Sequence, residues 1–136
     1  MDKVMGYLAL ARKGGMAELG EEPAGAAARG GKACVLLVAS DASDHTWRRA
    51  LSFAAGTEQQ CVRLPHSKDE MGLAVGRQSL AIAAITDPGL ALAMVQALGR
   101  PQDAKALEVL TQKAARAAQR RKEAKAHIRT VRQGKK

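Results

Sequence analysis

Ala33-Cys34-Val35-Leu36-Leu37-Val38-Ala39 is an unbroken apolar run set between Gly30-Gly31-Lys32 and Ser40-Asp41. A run this short, without alternation and bounded by turn residues, reads as a strand buried on both faces, because neither side carries polar groups for water. Such a strand needs cover above and below. Leu80-Ala81-Ile82-Ala83-Ala84-Ile85 repeats the pattern and predicts a second buried strand.

Helical signals surround these two runs. From Asp2 to Arg12, Val4, Leu8 and Ala11 fall on one face with Met5 beside them, and Gly14-Gly15 ends the helix. Met16-Ala17-Glu18-Leu19 suits a short strand. Gly20 breaks it, and Glu21 to Arg29 predicts a second helix; Pro23 fits only the first turn, where Glu21 and Glu22 complement the helix dipole. Ser40, Asp41 and Ser43 are candidate N-caps for a helix reaching about Ala55. Cys61 to Leu64 suits a short strand. Ser67 caps a helix through Ala74, stopped at Gly76, and Asp87-Pro88 opens one that runs to Leu98 before Gly99. Strands alternating with helices predict a layered α/β domain with helices on both faces of a small sheet.

Arg100-Pro101 marks the expected end of this domain (1–99); residues 100–136 form a tail. Leu107, Leu110, Ala114 and Ala118 recur at spacings of three and four, an apolar stripe able to dock. The mostly charged stretch from Arg120 is expected to become helical on binding.

Charge follows the same division. The net charge is +9. Residues 112–136 hold ten Lys or Arg and one acid, Glu123, so 10 − 1 = +9 and the remainder sums to zero. A concentrated cationic tail suits a polyanion, either nucleic acid or an anionic membrane face; the rival reading is a solubilising appendage. Aromatics are 2% against 46% hydrophobic residues, so the core must be built from small aliphatic side chains. Cys34 and Cys61 lie in apolar runs, as reduced residues of a cytoplasmic protein do. No membrane span, signal peptide or metal site is expected, since no apolar run is long enough to span, no charged-then-apolar segment opens the sequence, and His45, His66 and His127 lie far apart.

Three constellations allow a chemical reading. Gly25 to Ala33 resembles a phosphate loop but has five residues, not four, before its Gly-Lys pair, and Ala33 follows where Ser or Thr would hold magnesium. A helix end leading into a strand accounts for it. Asp41, Ser43, Asp44 and His45 gather at the end of a buried strand, where ligands of α/β sheets collect, but no second acid, nucleophile or base completes a site, and capping is the expected role. Trp47-Arg48-Arg49 fits either an RNA contact or a core aromatic flanked by solvated cations.

Taken together, Gly31 to Asp41, Ser67-Lys68-Asp69-Glu70-Met71-Gly72 with Gly76, and Ile82-Ala83-Ala84-Ile85-Thr86-Asp87-Pro88-Gly89 are similar, in order and spacing, to segments of the ribosomal protein L-seven-Ae / L-thirty-e superfamily. Leu8-Ala9-Leu10-Ala11-Arg12-Lys13-Gly14-Gly15 resembles its bacterial, YlxQ-like branch. The resemblance covers residues 4–98. It implies a three-layer α-β-α sandwich around a mixed sheet of about four strands. It also implies non-catalytic binding of structured, kink-turn-like RNA, with ribosomal RNA as the partner and ribosomal proteins as neighbours. The family's RNA-gripping segments match Gly20, Glu21, Glu22, Pro23 and Ala26, and the loop Arg77, Gln78, Ser79 and Leu80. Ala26 stands where a lysine is common in kink-turn binders.

The combined expectation is two-part binding without cofactor, metal or small-molecule substrate. The domain edge reads RNA shape. Lys113, Arg116, Arg120, Arg121, Lys122, Lys125, Arg129, Arg132, Lys135 and Lys136 attract phosphates irrespective of sequence. The alternatives are a protein-interaction adaptor with a solubilising tail, and an enzyme acting on RNA, for which no catalytic set can be assembled.

Overall fold

The computed structural model describes residues 2–134, with side chains through residue 128. It contains α1 (Lys3–Lys13), β1 (Ala17–Leu19), α2 (Glu21–Arg29), β2 (Val35–Val38), α3 (Asp44–Ala54), β3 (Gln60–Arg63), α4 (Lys68–Ala74), β4 (Ile82–Ile85) and α5 (Pro88–Leu98). A 3-10 turn (Pro101–Asp103) and α6 (Ala104–Gly134) follow. The predicted elements occur in the predicted order. Strand ends differ by one or two residues because ladder pairing, rather than apolar content, sets them.

The strands form one mixed sheet in the order β1-β4-β2-β3. β4 runs antiparallel to β1 and β2, while β3 lies parallel to β2, as a connection through α3 requires. α2 and α3 cover one face; α1 and α5 cover the other, with α4 against α1 and α6 against α5. This is the three-layer sandwich.

Every residue of β2 and β4 is buried, and Ala83 and Ala84 are fully enclosed. Alanine at these positions is what lets helices approach the sheet closely in a core so poor in aromatics. Leu8, Leu36, Leu37, Met71, Ile82, Ile85 and Met94 fill the two interlayer spaces. Gly25 is a further point of close approach: a Cβ there would come within 2.8 Å of the Phe53 ring of α3.

The caps follow the sequence with one exchange. Ser43 caps α3 by accepting from the Thr46 N–H at 3.1 Å, whereas Asp41 accepts from Lys68 N–H at 2.8 Å and so holds the start of α4. Ser67 and Glu70 form a reciprocal capping box on the same helix.

The chain beyond Leu98 turns a tight corner. Arg100 grips buried Asp103 with two bonds, Nε to Oδ2 at 2.8 Å and Nη2 to Oδ1 at 3.0 Å. α6 then packs along α5 and buries Ala106 and Leu110; of the expected apolar stripe Leu107 and Ala114 are half-buried, and Ala118 is exposed, so the stripe docks only in its first part. The stretch from Arg120, expected to need a ligand to become helical, continues α6 without interruption to Gly134. Its composition is dominated by Ala, Arg, Lys, Gln and Glu, the strongest helix formers, and it grows from a turn already nucleated by tertiary packing.

Candidate nucleic-acid interface

Gly20 lies between β1 and α2 with φ 100° and ψ 165°, a conformation essentially confined to glycine. Its N–H donates to Ile82 O at 2.9 Å, which ties the turn to the first residue of β4. That residue is reached from α4 through the 77–80 loop. The sheet order therefore brings together two loops some sixty residues apart in sequence: β1 and β4 are neighbours, and each loop sits at the same end of this pair.

The contact is direct. A Cβ built on Gly20 would lie 3.8 Å from Arg77 Nη1 and 3.7 Å from Pro23 Cδ. Glu22, Pro23, Ala26, Arg77, Gln78 and Ser79 are exposed, and Gly20 and Glu21 are half-buried. The first N–H groups of α2 have no helical acceptor, and no side chain caps them from Gly20. One exposed edge thus offers backbone donors, a guanidinium and two polar side chains. Leu80 is a correction to the expected contact set: it is 3% exposed, and its N–H donates to Lys68 O at 3.0 Å. It anchors the loop from beneath instead of touching a ligand.

Two further residues contribute: Gly72, whose role the sequence did not indicate, and Arg49, which the sequence left open between an RNA contact and a solvated cation. Gly72 of α4 seats the loop. Its carbonyl accepts from Arg77 N–H at 2.8 Å, and a Cβ on it would meet Arg77 O, Ser79 Cα and Ser79 N, each at 2.8 Å. Arg49 of α3 reaches across to Glu21, Nε to Oε1 at 2.8 Å, with its guanidinium 5.1 Å above the Phe53 ring. It brings a second cation to the edge and offsets one of the two acids there. The i,i+4 spacing of Arg49 and Phe53 was the available signal. The companion residues serve structure: Arg48 Nε donates to Asp44 O, and Trp47 packs half-buried against the core under Arg63, 5.2 Å from its ring.

The tail cations lie elsewhere. Lys113 is half-buried and Arg116 pairs with Glu58 at 3.3 Å; both lie near the leading ends of β2 and β3. Arg120, Arg121, Lys122 and Lys125 are exposed. Arg129 and Arg132 lie on the α6 backbone, but their side chains, like Lys135 and Lys136, fall outside the described residues. The structure brings the two edge segments together, and the described tail side chains lie away from them.

Burial pushes the Cys61 thiol up to about 12 and raises that of Cys34, against which the charge of Lys113 works only in part. Among the described residues no group of His, Cys, Asp or Glu could hold a metal ion, and no helix is long and apolar enough to cross a membrane.

No protein-family model matches the chain, and no curated protein sequence matches it. Solved structures do resemble it. A protein of unknown function from Bacillus halodurans is 20% identical with a TM-score of 0.68, over 74% of this chain and 100% of that one. The Giardia lamblia 15.5kD RNA binding protein is 17% identical with a TM-score of 0.58, over 73% of this chain and 88% of that one. At these identities the likeness establishes a shared fold.

Proposed function

We propose that the protein is a non-catalytic RNA-binding protein of the bacterial cytoplasm, belonging to the YlxQ-like branch of the superfamily it resembles and acting on ribosomal RNA. The observation that carries this reading is the single exposed edge made by the Gly20 turn and the Arg77–Ser79 loop, with Arg77 Nη1 against the glycine. A helix start with unpaired N–H groups accepts phosphate or base edges, and the glycine permits close backbone approach. The neighbouring loop closes over a base splayed out by a bend. RNA held in a fixed bend is recognised by such shape and exposed edges. An RNA binding protein from Giardia lamblia shares the fold. The cations of α6 add attraction that is blind to sequence.

The test compares a hairpin bent by an internal loop of sheared G·A pairs with a straight duplex of equal length. Wild type is expected to prefer the bent RNA, and Arg77→Ala to lose most of that preference. Equal affinity of wild type for the two RNAs would remove the kink-turn reading. The absence of binding to either at low salt would favour the protein-adaptor alternative.

A further inference from the structure

The direction in which α6 leaves the sandwich has a consequence for how RNA is held. β4 begins at Ile82, beside Gly20, and ends at Ile85, where it pairs with Val35 at the start of β2. β3 starts at that same far end, Gln60 against Val35. Glu58 lies two residues before Gln60, and it is Glu58 that Arg116 of α6 grips. α5 returns from the far end after Ile85, and α6 packs back along it. By Arg116 the helix has therefore reached the end of the sheet opposite the Gly20–Arg77 edge, and it is still heading away.

Its course is fixed by packing. The Arg100–Asp103 pair sets the corner, Ala106 and Leu110 are buried, and Arg116 adds a lateral tie. Beyond Arg116 the helix continues to Gly134, a rise of about 27 Å. Four-residue strands add roughly 13 Å between the two ends of the sheet. The end of α6 at Gly134 therefore stands on the order of 40 Å from the edge, and the Arg120–Lys125 stretch about 20–27 Å from it. Arg120, Arg121, Lys122 and Lys125 are all exposed along it, with Glu123 the one acid among them. Arg121, Lys122 and Lys125 share one side with Ala118 and Ile128.

These cations lie beyond the end of the sheet opposite the edge on which a compact bend would sit. We propose that the protein has two separate RNA-contacting ends and tethers two RNA segments: a bent one at the Gly20–Arg77 edge and the phosphate backbone of another along distal α6. This rests on the RNA-binding reading above. What it adds is that the two ends do not serve one local motif.

The experiment uses the full chain and two RNAs carrying different fluorophores, the bent hairpin and a short straight duplex. With protein limiting, native gels and sedimentation record whether both labels travel in one complex. Wild type is expected to carry both. A variant with Arg120, Arg121, Lys122, Lys125, Arg129 and Arg132 changed to Gln keeps the helix, since Gln is a comparable helix former. It is expected to retain the bent RNA while its capture of the duplex falls by about tenfold or more. Arg77→Ala is expected to do the reverse, retaining the duplex and losing the preference for the bend. If the RNAs displace one another, so that each protein carries either but never both, there is one site and the tether is wrong. Undiminished duplex capture by the Gln variant would equally overturn it. If wild type retains neither RNA, the RNA-binding reading itself falls.

Discussion

Gly72 and Gly20 are the residues on which the edge depends most, for different reasons. Gly72 has no room: the nearest atoms to an added Cβ are backbone atoms of the loop it supports, at 2.8 Å. Gly72→Ala must push the 77–80 loop outward, with the cost of overpacking, about 1–3 kcal/mol. Preference for bent RNA should weaken along with thermal stability. A variant with wild-type melting and wild-type preference would show that the loop is not seated here. Gly20 instead holds a backbone conformation that side chains avoid, and Gly20→Ala should cost about 1–3 kcal/mol by strain. The cysteines give a further expectation at this scale. With both thiols raised by burial, alkylation of native protein near neutral pH should be slow and should become complete only in denaturant. Rapid labelling of the native protein would contradict the packed environment of the β2–β3 pair.

Among the elements, α1 has the most informative cap. Asp2 accepts from Met5 N–H at 2.9 Å and also meets Nε2 of His66, whose buried Nδ1 has no partner among the described residues. The Met5 N–H bond and the bond from His66 hold the Asp2 carboxyl below its ordinary value of 3.8. A depressed carboxyl contributes stability above its unfolded value, and that contribution is lost as pH falls through the lower folded value. Through loss of the side-chain cap, Asp2→Ala should cost about 1 kcal/mol near neutrality. Its melting curve should converge with wild type below about pH 4, as Asp2 becomes protonated in the wild type. A gap that stays constant down to pH 2 would mean the charged cap contributes nothing.

For the molecule as a whole, the docking of α6 and its charge make separate predictions. Leu110 of α6 is fully buried where that helix packs along α5, so Leu110→Ala should destabilise by about 2–5 kcal/mol while leaving the bent-RNA preference intact below the melting point. Loss of the preference without loss of stability would place α6 nearer the edge than its course indicates. If half of the ten tail cations engage phosphates, log affinity for straight duplex should fall against log salt with a slope of roughly −3.5 to −4.5. The six-Gln variant should be shallower by about 2–3. An unchanged slope would remove the tail from RNA binding.

Much of this was legible in the chain itself. Unbroken apolar runs at Ala33 to Ala39 and at Leu80 to Ile85 declare doubly covered strands. Ser43, Ser67, Asp87 and Pro88 mark helix starts, and Gly20 and Gly76 mark breaks, because caps and glycine turns are local physics that neighbouring residues suffice to specify. The concentration of charge after Gln112 is likewise plain from composition. Tertiary structure alone decided that β1 lies beside β4, which puts Gly20 against Arg77, and that Asp41 caps α4 while Ser43 caps α3. It also decided that Arg49 reaches Glu21, that Leu80 turns inward, and that α6 departs from the far end of the sheet. Each of these depends on strand order and on how helices pack across it, and those are fixed by burial between residues distant in the chain, which no local pattern records.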